Sequence, residues 1–358
     1  MSDYFSTKHK KLIPYTPGEQ PKDQKYVKLN TNESPFPPGD NVVRAVTEAA
    51  GKLQLYSDPE CTKLTETFCR VFGVGKRNVV FGNGSDELLN FCFSAYGDDE
   101  HPFAFPNVTY GFYPVFAEFN NVPFEEIPLK SDFSIDVSDY CGINKNVVIA
   151  NPNAPTGLTI GLDEISEICR TNPENVVVID EAYVDFGGES AIPLTGEFEN
   201  LIVVGTFSKS RSLAGARLGF AVANEKLIAD MNTIRYSTNP YNVNSMTIAA
   251  GAAALEDNDY YMANCRRIIE TRAWTKKELE RLGFSVLDSR ANFLFAKSGK
   301  LGGEELYRTL KNMGVLVRWF NKDGIREFIR ITIGTAEQMQ TLIEAVEKIL
   351  NEVKNENC

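Results

Sequence analysis

Four short apolar runs each stop at a polar residue or a glycine. Val79-Val80-Phe81 precedes Gly82, Val147-Val148-Ile149-Ala150 precedes Asn151, Val176–Ile179 precedes Asp180, and Leu201–Val204 precedes Gly205. A strand with one wet face alternates apolar with polar residues. A run with no alternation is buried on both faces, as in a mostly parallel sheet sandwiched between helices. No other feature constrains the fold as strongly, and it predicts an α/β protein. Ser85–Tyr96 and Asp163–Arg170 fit crossover helices between such strands, and Val42–Leu53 and Leu64–Phe72 read as further helices, the second closed by Gly73 and Gly75.

The texture changes after about residue 245. A long amphipathic helix, Asp259–Leu282, is followed by short strands at Ser285–Leu287, Phe293–Ala296, Val315–Arg318 and Phe328–Thr332, then by a last helix, Ala336–Val353. The expected organisation is an irregular arm over 1–30, punctuated by Pro14, Pro17, Gly18 and Pro21, a large domain over 31–245, and a smaller α+β domain over 246–358.

Composition excludes several classes of function. The formal net charge of −11 argues against nucleic acid as a partner, since a phosphate backbone needs a basic face. A small phosphorylated ligand needs only a few local cations and remains compatible. The basic cluster Lys8-His9-Lys10-Lys11 reads as a solvated tail. Only two histidines, His9 and His101, are present, which argues against a His-rich metal site and a Ser-His-Asp triad. The seven cysteines form no C-x-x-C pair and read as reduced, mostly buried thiols. No apolar stretch approaches the roughly 20 residues of a membrane helix, and the first residues carry no apolar signal core. A cytoplasmic protein with no membrane partner and no metal is expected.

In open α/β sheets ligands bind beyond the carboxyl ends of the strands, and the unusual residue sets fall there. Gly82-Asn83-Gly84-Ser85-Asp86-Glu87 follows a strand and opens a helix, where free N–H groups cradle an anion; an ordinary capped turn looks the same. Asp180 in Asp180-Glu181-Ala182-Tyr183 is a carboxylate at a buried strand end. It serves either to meet a cation, such as a pyridinium nitrogen, or to cap a helix. Lys209 in Thr206-Phe207-Ser208-Lys209-Ser210 lies in an otherwise uncharged stretch. That suits an amine whose pKa is lowered for Schiff-base chemistry. Arg217 is placed to return a guanidinium to the same anion as Thr206 and Ser208. Asn151-Pro152-Asn153-Ala154-Pro155-Thr156-Gly157 fixes a loop at a fourth strand end.

In this order, these sets resemble the fold-type I pyridoxal-phosphate aminotransferases, and closely the histidinol-phosphate aminotransferase family. The similarity extends over nearly the whole chain. It includes Ile13–Gly18, Leu29–Pro35, Tyr56-Ser57-Asp58-Pro59, Thr109-Tyr110-Gly111-Phe112-Tyr113 and Ile329–Thr335. The resemblance implies a pyridoxal 5'-phosphate cofactor held through Lys209, which also shuttles the proton. Asp180 pairs with the ring nitrogen, Tyr183 bonds the phenolic oxygen, and Tyr110 stacks on the ring. Ser85 and Asp86 amides, Thr206, Ser208 and Arg217 hold the phosphate. Tyr56 reaches the phosphate of a neighbouring subunit, which implies a homodimer. Arg330 binds the acidic end of substrates, Arg318 is a second candidate for that anion, and Asn32 and Asn292 line the substrate pocket.

One position departs from the family pattern. Ala154 stands where an asparagine usually precedes Pro-Thr-Gly and bonds the phenolic oxygen. Asn153 is expected to reach in from one residue earlier, the alternative being that Tyr183 holds the oxygen alone. Loss of one neutral hydrogen bond would cost on the order of 1 kcal/mol. The implied reaction is ping-pong transamination between a small-molecule amino donor and a 2-oxo acid, with histidinol phosphate and 2-oxoglutarate first. Aromatic amino acids are the second reading and decarboxylation of threonine phosphate the third. A nicotinamide-dependent dehydrogenase is disfavoured, because the Gly82–Glu87 turn lacks the third glycine of a dinucleotide fingerprint.

Overall fold

Three of the four non-alternating runs form the middle of a seven-stranded sheet, and the fourth, Val79–Phe81, lies at its edge, in the computed structural model, which describes residues 2–356. Met1, Asn357 and the last of the seven thiols, Cys358, lie outside the described residues. The strand order across the sheet is Val79–Gly82, Gly219–Ala223, Leu201–Thr206, Val177–Asp180, Asn146–Ala150, Phe103–Pro106 and Phe124–Ile127. All neighbours are parallel except Gly219–Ala223, which runs antiparallel to both strands beside it. The expected mostly parallel α/β plan is the observed one.

Strand geometry explains the absence of alternation. Successive side chains point to opposite faces. Val147, Ile149, Val177, Ile179, Leu201 and Val203 therefore pack into one apolar layer with Leu64, Phe68, Ile165 and Ile168. Val148, Ala150, Val178, Ile202 and Val204 pack into the other with Leu88, Phe93, Tyr113 and Met231. The edge strand Phe124–Ile127 is exposed at its first three positions, and Glu125 and Glu126 guard that edge against pairing.

Two helices differ slightly from expectation. Asp40–Ala50 stops at Gly51, short of the predicted end at Leu53, and Thr62–Phe72 starts before Leu64. Gly73, at φ 69°, closes the second helix by donating its N–H to the Cys69 carbonyl. The helix Ser245–Glu256 packs on Asp40–Ala50, and its Ile248, Ala250 and Leu255 belong to the layer under the large sheet.

A second, antiparallel sheet follows in the order Arg318–Trp319, Phe328–Thr332, Phe293–Ser298 and Phe284–Val286. The helices Asn258–Arg281, Gly303–Asn312 and Ala336–Glu356 cover it around Leu279, Leu294, Leu310, Ile331 and Val346. The predicted single strand Val315–Arg318 is divided between two sheets. Val315–Leu316 pairs in parallel with Val27–Lys28 of the arm, whereas Arg318–Trp319 joins the four-stranded sheet. The buried Val317 marks the crossing, and the arm is tied down by Val27 N–H to Gly314 O and Leu29 N–H to Leu316 O at 2.9 and 2.8 Å.

No helix among the described residues is long and apolar enough to cross a membrane. All six described cysteines are free, four of them buried.

Candidate active site

The parallel strands Asn146–Ala150, Val177–Asp180 and Leu201–Thr206 end side by side, and two adjoining cavities open beyond them. The first, of about 420 Å³, is bordered by Ser85, Asp86, Asp180, Thr206, Ser208 and Arg217. The second, of about 360 Å³, is bordered by Tyr15, Asn32, Arg318, Phe320, Lys322 and Arg330. Lys209, Tyr183, Tyr110, Thr31 and Ala154 form the wall common to both. A cavity of about 490 Å³ beside Pro59, Arg77 and Arg235 gathers none of the cofactor- or substrate-binding candidates named from the sequence.

Lys209 sits in a turn that folds back on the end of Leu201–Thr206, through Phe207 N–H to Leu218 O and Leu213 N–H to Phe207 O. Its ammonium donates to the Thr31 carbonyl at 3.3 Å and lies 5.8 Å from the centre of the Tyr183 ring. Some of its surface faces the cavities, but protein encloses the rest. Loss of hydration, reinforced by the Arg330 charge and opposed by Glu33 and Asp86, pushes its pKa down to about 8.

Asp180 is the last residue of its strand and is 4% exposed. Its Oδ1 accepts the Ala182 N–H at 3.1 Å, and its Oδ2 accepts the hydroxyl of Tyr113 at 2.9 Å. Burial raises its pKa to about 6, and those two hydrogen bonds hold it from rising further. A cation arriving in the cavity would stabilise the charged form.

The anion cradle forms at the other predicted turn. Gly84, at φ 83° and ψ 166°, precedes the helix Ser85–Tyr96, whose start no side chain caps. A Cβ on Gly84 would lie 2.5 Å from Nη2 of Arg217, and one on Gly219 would lie 2.4 Å from the Ser85 nitrogen. Glycine at both positions is what lets the helix start and the guanidinium approach each other. Thr206 Oγ1 donates to Ser208 Oγ at 3.0 Å, and the Ser208 N–H donates to Thr206 Oγ1 at 3.1 Å. Arg217 donates to Oδ2 of Asp86 at 3.0 Å, and Tyr110 donates to its Oδ1 at 2.7 Å.

The second cavity carries an unusual charge arrangement. Arg318 and Arg330 are direct cross-strand partners in the small sheet. Like charges in that relation repel, and among the described residues no carboxylate side chain borders this cavity. Arg330 donates to the Asn30 carbonyl at 2.9 Å, while its buried Nε has no partner among the described residues. Its guanidinium lies 5.4 Å from the Phe293 ring and 5.5 Å from that of Phe320. Arg318 reaches back to the arm, donating to the carbonyls of Thr16 and Pro17 at 3.2 and 3.4 Å. An anion between the two arginines would relieve the repulsion and give Nε an acceptor.

Two predicted residues, Asn153 and Asn292, stand elsewhere than expected. Asn153 does not border either cavity. Its amide donates to Val108 O at 2.9 Å and Thr156 Oγ1 at 3.1 Å, and its oxygen accepts from Thr109 at 2.8 Å, so its donors are committed to holding the loop. Ala154 takes the place facing the cavities. Asn292, fully buried, also lines neither cavity; it lies behind Asn32 and donates to that residue's carbonyl at 3.0 Å. Tyr56, expected to serve a neighbouring subunit, lines neither cavity of its own chain and is 84% exposed, stacked on Tyr241 at 4.6 Å. Asn32 does border the second cavity, but its amide is engaged, donating to the Tyr183 hydroxyl at 2.9 Å.

Sequence reasoning missed Tyr113, Phe320 and Lys322. A buried strand-end carboxylate signals that some donor must meet it, but which residue supplies that donor is a matter of packing. Phe320 and Lys322 follow Arg318 in the chain and carry no local signal.

The model of the family "Aminotransferase class I and II" matches residues 24–346. The chain is 47% identical to the histidinol-phosphate aminotransferase of Brachyspira hyodysenteriae, over 98% of this chain and 99% of the relative. It is 45% identical to that of Acinetobacter baumannii, over 96% of this chain and 97% of the relative. Its fold matches the crystal structure of histidinol-phosphate aminotransferase from Sinorhizobium meliloti in complex with pyridoxal-5'-phosphate, with a TM-score of 0.88 at 23% identity and 99% of each chain covered. Identity at this level over almost the full length carries more than shared architecture: the chain belongs to the class I and II aminotransferases, within them to the histidinol-phosphate aminotransferase family.

Proposed function

We propose that the protein transfers an amino group from histidinol phosphate to 2-oxoglutarate, working as a homodimer with pyridoxal 5'-phosphate as cofactor. The observation that carries the substrate reading is the facing pair Arg318 and Arg330 in a cavity with no carboxylate wall, sharing Lys209 with the cofactor cavity. Such a site fits a phosphate on one substrate and a carboxylate on the other. The aromatic walls of Tyr15, Tyr110 and Phe320 suit a flat imidazole.

The residues present fit the cofactor. Asp180 offers a buried carboxylate to a ring nitrogen, Lys209 an amine, and the Ser85 helix start with Thr206, Ser208 and Arg217 an anion cradle, all on one cavity. When bound, the cofactor supplies an electron sink for charge developing at the substrate carbon. Asp180 holds positive charge on the ring nitrogen, which its two internal donors leave it free to do. Tyr183 accepts from Asn32, so its own O–H proton is free to donate into the cavity, and with Asn153 committed elsewhere it is the donor to the phenolic oxygen. Lys209 takes and returns the proton at Nζ; a pKa near 8 keeps a share of the amine neutral near physiological pH. Arg330 and Arg318 bind and orient the acidic end of each substrate. The arm residues Tyr15, Thr16 and Gly18 close that cavity on one side.

Tyr56, with the exposed Leu53 and Leu55 on the same stretch, is read as dimer surface, placing the Tyr56 hydroxyl at the phosphate cradle of the partner copy. The free thiols accord with a reducing, cytoplasmic setting.

The test is glutamate formation from 2-oxoglutarate by the purified holoenzyme, with histidinol phosphate, phenylalanine or O-phosphothreonine as donor. Histidinol phosphate is expected to give a kcat/KM about 10²-fold above phenylalanine, the size of discrimination that a site built for a polar group provides at least. Phenylalanine as the better donor overturns the substrate reading, and carbon dioxide release from O-phosphothreonine overturns amino transfer. Sedimentation at micromolar concentration should show a dimer.

A further inference from the structure

Tyr113 is fully buried in the apolar layer beneath the first cavity, yet its hydroxyl is 2.9 Å from a carboxylate oxygen. It opens the helix Tyr113–Asn120, whose first turn is set by Pro114 and by Tyr113 N–H to Tyr110 O at 3.2 Å. The same turn therefore places Tyr110 on the cavity wall and Tyr113 one layer below. The two rings meet edge to face, 5.7 Å apart at 83°. A second edge contact, to Phe105 at 5.7 Å and 60°, fixes the Tyr113 ring from the other side. Tyr113 borders neither cavity, so it touches neither cofactor nor substrate.

Asp180 has two oxygens to satisfy. The Ala182 amide serves Oδ1, and the Tyr113 hydroxyl serves Oδ2. The other titratable groups that act on this carboxylate are Cys92 and Asp86 from the helix Ser85–Tyr96, Lys209, and its chain neighbours Glu181 and Tyr183. Of these only Lys209 is a cation, and it forms its hydrogen bond with Thr31 instead. Without the Tyr113 hydroxyl, one oxygen of a buried carboxylate loses its internal donor. The carboxyl then rotates to find another or takes up a proton.

We propose that Tyr113 is a positioning residue for the cofactor: it orients the Asp180 carboxylate and keeps its charge in place opposite the ring nitrogen. This rests on the cofactor reading above but not on the identity of the amino donor.

The test is Tyr113→Phe, which removes one hydroxyl and keeps the ring packing, made in wild-type and Asp180→Asn backgrounds. The first readout is the Kd of the apoenzyme for pyridoxal 5'-phosphate. Tyr113→Phe should weaken it about tenfold in the wild-type background, as for loss of a charge-assisted hydrogen bond. In the Asp180→Asn background it should change Kd less than about twofold, because the residue acts through Asp180. The second readout is the pH profile of kcat: the acid limb should move to higher pH, since removing a donor to the anion raises the carboxyl pKa, while KM for 2-oxoglutarate stays unchanged. A full tenfold loss in both backgrounds, or an unchanged Kd with only a lower Tm, makes Tyr113 a purely structural residue and overturns the proposal. If Kd responds as expected while histidinol phosphate fails as donor, the substrate reading falls and this one stands.

Discussion

The two cavities share a wall and differ in how their charges are balanced. Around the first, every charge but that of the shared Lys209 has an answer from a side chain or amide within the protein: Arg217 meets Asp86, Asp180 meets Tyr113 and Ala182, and Glu33 meets Lys28 and Thr31. Around the second, Arg318 and Arg330 face each other across the ladder with carbonyl oxygens as their only hydrogen-bond acceptors among the described residues. A site for a resident group can be organised before that group arrives. A site that must release its ligand every turnover leaves its countercharge to be brought by that ligand. The contrast supports the proposed division, in which the first half would hold the cofactor and the second would exchange substrates.

The variant with the largest effect breaks both halves together. Lys209→Ala should keep the fold but lose more than about 10³-fold in turnover, the scale of a positioned base together with a covalent anchor. Undiminished glutamate production would refute the assignment. Arg330→Met should separate the halves. It removes a partly buried guanidinium aimed at the substrate anion, and kcat/KM for histidinol phosphate should drop about 10²-fold, roughly 3 kcal/mol, with the cofactor Kd unchanged. An equal loss in cofactor affinity would erase the distinction.

Chemical denaturation of the apoenzyme against pH, compared between wild type and Asp180→Asn, probes the carboxylate of the first half. The folded pKa of Asp180, about 6, lies above the ordinary carboxylate value, so the folded state holds more protons than the unfolded one between about 4 and 6. The contribution of Asp180 to stability should therefore fall as pH rises through that window, by on the order of 3 kcal/mol for so buried a group. For Lys209, lowered to about 8, the unfolded state holds more protons between about 8 and 10.5, and stability should rise with pH there. Glu181, raised by burial to about 7, gives a slope of the same sign, so Asp180→Asn should lessen the acid slope without abolishing it and leave the alkaline one unchanged; an unchanged acid slope would mean the Asp180 carboxylate is not desolvated.

Smaller effects sharpen the comparison. Arg318→Gln should lower kcat/KM about tenfold, less than Arg330, because Arg318 is also spent on the arm carbonyls. Asn153→Ala should shift the cofactor Kd less than about twofold while lowering stability by about 1–3 kcal/mol, since its amide holds the loop and not the ring. A large cofactor effect would restore Asn153 to the site.

The sequence by itself determined the strands of the sheet, the strand ends at which polar residues gather, and the candidates Lys209, Asp180 and Arg217; Arg330 is singled out through the family resemblance. The strands and the charges at their ends rest on a local signal: non-alternating apolar runs read as doubly buried strands, and a charge after such a run is out of place unless used. Tertiary structure alone decided that Val315–Arg318 is split between two sheets, because pairing with Val27–Lys28 and with Phe328–Thr332 depends on partners far away in the chain. It also decided that Asn153 is committed to its own loop while Tyr113, a residue inside a recognisable motif but with no local mark of function, supports the carboxylate from below. Side-chain partnerships between distant segments are fixed by packing, and one chain read along its length records which groups need partners but not where those partners come from.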